Sequence, residues 1–218
     1  VLAVAALDKG HIAEALGAGM RDFQELPLYG LFFGGIYAAG GILIVLSATA
    51  LGMSYLSYPL AAGFALIGPF IAVGLYEVSR RRERGEPVRW SDLWRTMRSR
   101  GEIGWMAFVT LFIFIMWMYQ VRFLTALFLG LNASFSSLQQ FITHVLTTSE
   151  GLVFLLVGNL IGAALAAILF SLTVVSFPLL LERDLDFVTA MITSVRSVAT
   201  SPVPMLGWAV VITVLLMI

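Results

Sequence analysis

The chain has 218 residues, carries a formal net charge of +0, and is 60% hydrophobic but only 12% charged. Soluble domains are nearer a quarter charged, so this composition indicates an integral membrane protein. The chain has no cysteine, which excludes disulfides, thiolate metal sites and cysteine nucleophiles. Because the basic residues are concentrated in one segment, we expect no nucleic-acid partner.

Apolar runs long enough to cross a membrane dominate the sequence. About 20 mostly apolar helical residues cross the roughly 30 Å hydrocarbon core of a bilayer. Runs of this length cover residues 28–51, 55–78, 104–121 or slightly further, and 151–181. A fifth run, 205–218, is apolar but shorter, and we interpret it as the truncated start of another span. We therefore predict an all-α, polytopic membrane protein with one transmembrane domain over 1–218, five visible spans and six in the full chain.

The segment between the second and third spans, residues 79–103, holds most of the positive charge. Its arginines are Arg80, Arg81, Arg82, Arg84, Arg89, Arg95, Arg98 and Arg100. Cytoplasmic loops carry an excess of arginine and lysine, so we place this segment and the N-terminus in the cytoplasm. The opposite connection, residues 122–150, is then an external amphipathic segment.

A short amphipathic helix is predicted inside the arginine-rich segment. Trp90, Leu93, Trp94 and Met97 recur at the spacing of one helical face. Such a helix can lie in the membrane interface, with tryptophans at headgroup depth and arginines on the phosphates of anionic lipids. The lipid-contacting residues of this hypothesis are Arg80, Arg81, Arg82, Arg84, Arg89, Trp90, Trp94, Arg95 and Arg98. The alternative is a surface helix packed on the protein's own cytoplasmic face.

The same pattern of two apolar residues one turn apart followed by arginine recurs three times. It occupies Ala15–Arg21, Asp92–Arg98 and Ala190–Arg196, and predicts interfacial helices over 9–24 and 186–198 besides the one in the loop. Each precedes an odd-numbered span. Three units of an interfacial helix and a helical hairpin would account for six spans, and such repeats are known in transporters.

Small residues line one face of the fourth span. Gly158, Gly162 and Ala166 recur every four residues, which lets a neighbouring helix approach closely. Asn159 adds an amide at membrane depth, where we expect it to hydrogen-bond another helix. Helix packing is the favoured interpretation of all four residues.

Two prolines, an arginine and a glutamine define an alternative kind of site. Pro69 and Pro178 bend the second and fourth spans, either around a cavity or only to shape the bundle. Arg122, which follows Gln120, lies about 27 Å from the start of the third span. It either anchors the helix at the far interface or, if the helix continues, forms a buried polar site on a substrate path.

No catalytic, cofactor-binding or metal site is predicted. The two histidines, His11 and His144, fall on opposite sides of the predicted topology, so they cannot ligate one haem or metal together. The sequence also lacks a nucleophile elbow, a phosphate-binding glycine loop and a metal-ligand cluster.

Five sequence blocks are distributed along most of the chain, from residue 21 to residue 216. Arg21-Asp22-Phe23 precedes the first span, GFALIGPFIAVGLYEVSRRRERGE runs over 63–86 and FLTALFLG over 123–130. VVSFPLLLERDLDFVTAMITSV covers 174–195, and GWAVVITVLL begins at residue 207. Together these blocks resemble the bacterial predicted integral membrane proteins catalogued as domain of unknown function 2189, of which some members carry the label of a cytochrome c oxidase subunit.

The resemblance implies a polytopic protein of the bacterial inner membrane, with a further hydrophobic segment and a histidine-containing tail beyond residue 218. Two histidines cannot supply the ligands of two haems and a copper, so we expect no catalytic oxidase subunit and no cofactor. Our first hypothesis is a non-enzymatic accessory, assembly or organising subunit of a respiratory or photosynthetic electron-transfer complex, with other membrane subunits as partners. The alternative is a small-molecule transporter whose path lies near Arg122 and the bends at Pro69 and Pro178.

Overall fold

The computed structural model describes residues 6–49, 71–99, 101–130 and 138–217. Within these ranges the protein is built from helices, in agreement with the predicted all-α class. Their bounds are α1 Lys9–Glu25, α2 Pro27–Thr49, α4 Trp90–Ser99, α5 Gly101–Phe128, α6 Leu138–Thr147, α7 Ser149–Thr173, α8 Ser176–Glu182, α9 Phe187–Thr200 and α10 Pro202–Met217. Between α2 and α4 lies α3, whose described part is 71–83.

Three helical stretches in the described part of the chain are long and apolar enough to cross a membrane. They are Pro27–Leu46, Gly101–Phe128 and Ser149–Glu182, the last formed by α7 and α8 together. A fourth candidate is the pair of α9 and the first part of α10, which meet at an angle of 104°. The protein is therefore a polytopic membrane protein. The predicted second span falls outside the described residues as far as residue 70.

Amphipathic and apolar helices alternate in a regular order. The amphipathic helices α1, α4 and α9 have one polar and one apolar face, whereas α2, α5 and α10 are apolar all round. These helices form three consecutive pairs, α1–α2, α4–α5 and α9–α10, and one residue separates the two helices of each pair. In two of the pairs the second helix begins with proline, at Pro27 and Pro202, because proline fits the first turn of a helix but cannot continue the one before it.

The turn after α3 determines where this helix ends within the arginine-rich segment. Gly85 has a φ of +66°, and its amide donates to Arg82 O while the amide of Glu86 donates to Arg81 O. These two bonds form a Schellman motif, in which the left-handed residue is most often glycine. The helix stops there and the chain turns back toward α4.

The protein has two compact units: unit 1, comprising Val1–Thr110 and Phe170–Ile218, and unit 2, comprising Leu111–Leu169. Unit 1 has two buried apolar clusters. The Phe33 cluster joins α2, α3 and α4 through Phe33, Ile71, Val78 and Leu93. The Met106 cluster joins α3, α5, α8 and α9 through Val73, Ile103, Met106, Phe177, Leu180, Leu181 and Ala190. The amphipathic helix α4 thus packs in the Phe33 cluster and the amphipathic helix α9 in the Met106 cluster.

Candidate functional site

A fully buried carboxylate organises the end of α3. The side chain of Glu77 has 0% exposure, and its two oxygens accept hydrogen bonds from Arg80, with Nε–Oε2 at 2.6 Å and Nη2–Oε1 at 2.7 Å. A buried carboxylate must be paired to be tolerated, and a guanidinium that meets it with two parallel bonds is the strongest partner available. This ion pair raises the pKa of Arg80 above its ordinary value, the hydrogen bond to Glu77 being the main cause.

Arg81 extends this ion pair to the next helix. Its Nε donates to Glu77 Oε1 at 2.7 Å, and its Nη1 donates to Asp92 Oδ2 on α4 at 3.3 Å. From the same helix α4, the hydroxyl of Thr96 donates to Glu77 Oε1 at 3.3 Å. The buried carboxylate therefore joins α3 to the amphipathic helix α4 directly through Thr96 and indirectly through Arg81 and Asp92.

Arg82 makes the corresponding connection to α1. It forms ion pairs with Asp22 and Glu25, and Ser79 donates a hydrogen bond to the same Asp22. The hydrogen bond between Glu25 and Arg82 lowers the pKa of Glu25 and raises that of Arg82. Arg81 and Arg82 thus hold the end of α3 against α4 and α1, while Arg80 pairs with Glu77 within α3. We call Arg80, Arg81 and Arg82 the arginine triplet.

This arrangement divides the arginines of the predicted lipid-contacting set into two groups. The arginine triplet bonds to carboxylates of the protein itself, whereas Arg84, Arg89 and Arg95 are exposed. Arg95 is also 3.8 Å from Asp92, and Arg98 lies on α4. Contact with lipid phosphates remains a prediction, and it now concerns mainly the exposed residues Arg84, Arg89 and Arg95.

The two tryptophans of α4 have different surroundings. Trp90 packs on α2, with its ring centroid 4.5 Å from that of Tyr29 and 4.8 Å from that of Phe32, and Leu93 beside it is buried. Trp94 is 47% exposed. One part of the predicted apolar face therefore packs on the protein, as in the alternative interpretation, while Trp94 is placed where it can contact lipid.

In unit 2, α7 packs on α5 through its glycines. A methyl group at Gly158 would lie 3.9 Å from Leu124, and one at Gly162 would lie 3.7 Å from Trp117, so both glycines are at the contact with α5. Asn159 and Ala166 are exposed. The side-chain amide of Asn159 donates to Leu155 O of its own helix at 2.7 Å.

Apart from Pro69, the residues of the predicted alternative site lie on two different elements of the described structure, α5 and α8. Arg122 is exposed on α5, which continues beyond it to Phe128, whereas Oε1 of Gln120 is buried and has no hydrogen-bond partner among the described residues. Pro178 lies in α8, just after the interruption at 174–175. Pro69 lies outside the described residues.

The N-terminus of α9 is fixed by two carboxylates. Asp186 accepts from the amide of Thr189 at 2.8 Å and from its hydroxyl at 2.6 Å, and these bonds lower the pKa of Asp186. Glu102, in the first turn of α5, accepts from the amide of Phe187 at 2.9 Å. Carboxylates are stabilising at this end of a helix because its first amides have no partner within the helix.

Sequence reasoning missed the acidic partners of the arginine triplet. Glu77 precedes Arg80 and Arg81 by three and four residues, a spacing at which side chains on one helix meet, so this part of the network had a local signal. Asp22 and Glu25 lie 60 and 57 residues from Arg82, so no local pattern in the sequence indicates that they are its partners. In the described part of the chain, no group of three or more histidine, aspartate or glutamate residues could hold a metal ion.

The chain matches the model of a protein family. A family model described as predicted integral membrane protein (DUF2189) matches residues 57–182, which is more than half of the 218 residues. No curated protein matches the chain, and no solved structure does. The chain thus belongs to the DUF2189 family of predicted integral membrane proteins.

Proposed function

We propose that this protein is a non-enzymatic subunit of a larger complex in the bacterial inner membrane, which it helps to assemble or organise by binding another membrane protein through α7. The observation that carries the proposal is the position of Asn159. It lies ten residues into the candidate span that begins at Ser149, about 15 Å along the helix and so close to the middle of the hydrocarbon.

The surface around Asn159 is suited to contact with another helix. Leu152, Leu156, Asn159, Ala163 and Ala166 recur on one side of α7, and all five are exposed; we call them the Asn159 face. Small residues let helix backbones approach, and an amide in the hydrocarbon gains about 1 kcal/mol from a bond across the contact. The glycines that pack on α5 lie on a different side of α7, so the Asn159 face is available to a partner.

A photo-crosslinking amino acid introduced in place of Leu156 tests this proposal in native membranes. Leu156 is 63% exposed on the Asn159 face, whereas Ile161, 36% exposed, lies on another side of the same helix and serves as the control position. We expect Leu156 to give a crosslink to a second membrane protein, and Asn159→Leu to weaken it. Crosslinks to lipid only from both positions would contradict the proposal.

A transporter is the second candidate, because α7 and α8 are interrupted at 174–175 and interrupted helices form substrate sites in transporters. At this interruption the amide of Val175 donates to the hydroxyl of Ser194 at 3.2 Å. The freed backbone group is therefore occupied by the protein itself. This favours a structural bend over a binding site, so we rank transport second.

A further inference from the structure

The polarity of α9 is reversed relative to an amphipathic helix on a water-facing surface. The inward face consists of small and hydroxyl-bearing residues, namely Ala190, Thr193, Ser194 and Ser197, all of them buried. The outward face carries Val188, Ile192 and Val195, with exposed fractions of 44%, 48% and 41%. We call these three residues the α9 stripe, since their spacing of four and three residues places them on one line along the helix.

The inward hydroxyls of α9 already have partners within the protein. Thr193 donates to Thr189 O at 2.8 Å, Ser197 donates to Thr193 O at 2.9 Å, and Ser194 accepts from Val175. A helix in contact with water does not need to place its polar groups inside. In a lipid environment, by contrast, polar groups have to be satisfied within the protein.

The beginning of α9 lies at the level where the α5 span begins. Glu102 in the first turn of α5 bonds to the amide of Phe187, and the Phe187 ring is stacked on Trp105 with centroids 6.0 Å apart. Trp105 is 58% exposed, and exposed tryptophans at the ends of spans mark the headgroup region. The start of α9 is therefore at the boundary between headgroups and acyl chains.

The direction of α9 and the position of Arg196 are both consistent with a helix at the boundary between headgroups and acyl chains. The angle of 104° between α9 and α10 places α9 close to the plane of the membrane if α10 crosses it. Arg196 is exposed at the edge of the α9 stripe, where a guanidinium can reach a lipid phosphate while its stem stays in the apolar layer. A similar outward arrangement is found in α1, where exposed Met20 and Phe23 flank exposed Arg21.

From these observations we infer that the α9 stripe is a lipid-binding surface: Val188, Ile192 and Val195 contact the acyl chains of the bilayer at the headgroup boundary, with Arg196 facing the phosphates. The inference concerns α9 in unit 1, and it does not depend on the proposed contact of α7 with a partner protein.

Site-directed spin labelling tests this inference directly, since the chain has no cysteine of its own. The single-cysteine variants Val188→Cys, Ile192→Cys and Val195→Cys are labelled with a nitroxide in the full chain, reconstituted into vesicles of phosphatidylethanolamine and phosphatidylglycerol. The collision rate of each label with oxygen, which partitions into acyl chains, is compared with that of a water-soluble nickel chelate. Glu83→Cys, at an exposed position at the end of α3, is the control.

We expect the three stripe positions to favour oxygen over nickel by several-fold and Glu83→Cys to show the opposite preference. A stripe that collides readily with the nickel chelate faces water, which would overturn the inference. A stripe that is shielded from both reagents is covered by protein, and this result would overturn it equally.

Discussion

The carboxylate of Glu77 and the guanidinium of Arg80 form a two-bond ion pair at the end of α3, with N–O distances of 2.6 and 2.7 Å and no exposure of the carboxylate. Arg81 and Thr96 bond to the same carboxylate. Within unit 1, the packing of α3 against α4 therefore includes a polar centre, besides the apolar contacts of the Phe33 cluster.

Replacing Glu77 with glutamine should destabilise the protein strongly. The substitution leaves the guanidinium groups of Arg80 and Arg81 without their buried counter-charge, which costs about 3–5 kcal/mol when one partner of a buried pair is removed. Thermal unfolding in detergent micelles measures the loss. Glu83→Gln, at an exposed position of the same helix, is the control and should change the stability by less than about 0.5 kcal/mol. Equal stability of the two variants would show that the ion pair is not structural.

Replacing Gly74 with alanine should also destabilise the protein, because the added methyl group would collide with the ring of Phe33. Overpacking of this kind costs about 1–3 kcal/mol. The second substitution Phe33→Leu should recover part of the loss by removing the ring. Gly41→Ala, where a methyl group meets nothing within 4 Å, should be neutral or slightly stabilising. If Gly74→Ala were as stable as Gly41→Ala, α2 and α3 would not pack as closely as described.

Asp186→Ala should lower the unfolding temperature more than Asp186→Asn, because asparagine can still cap α9 and alanine cannot. The bonds from Thr189 lower the pKa of Asp186 below its ordinary value of 3.8. A carboxylate with a lowered pKa stabilises the folded state above the unfolded pKa, and this contribution is lost as the pH falls through the folded pKa. The difference between wild type and Asp186→Ala should therefore be full at neutral pH, begin to shrink near pH 3.8, and be lost once the pH is below the lowered pKa of Asp186. A difference that persists in acid would mean that the cap does not depend on ionised Asp186.

Labelling of single cysteines tests the predicted orientation. We expect Glu83→Cys, beside the arginine triplet, to react with a membrane-impermeant maleimide only after the membrane is opened. Gln139→Cys, exposed on α6, should react in intact spheroplasts, because excess positive charge keeps the arginine-rich segment in the cytoplasm. The reverse labelling pattern would contradict the orientation.

Much of the fold could be predicted from the sequence because the bilayer fixes the length and polarity of a span. Apolar runs predicted α2, α5 and the pair α7–α8, and the spacing of Trp90, Leu93 and Trp94 predicted α4. The helix propensity of a run does not determine where it stops, however. The third span was predicted to end at residue 121 or slightly further, and α5 continues past Arg122 to Phe128.

Which side chains pack against another helix and which are exposed was harder to predict than the positions of the helices. Gly158, Gly162 and Ala166 look like one line in the sequence, but eight residues turn a helix by about 80° more than two full turns. Ala166 therefore lies on the exposed side together with Asn159, away from the glycines that pack on α5. The partners of Arg82 depend on contacts between residues distant in sequence, for which a single sequence carries no signal.

The most direct test of the proposed function is native mass spectrometry of the protein purified in mild detergent from its own membrane at its natural expression level. The account predicts a stable assembly of this chain with at least one other membrane protein, and a smaller yield of that assembly for Asn159→Leu. An isolated chain that carries no partner, and that catalyses substrate flux when reconstituted into vesicles, would contradict the account and favour transport.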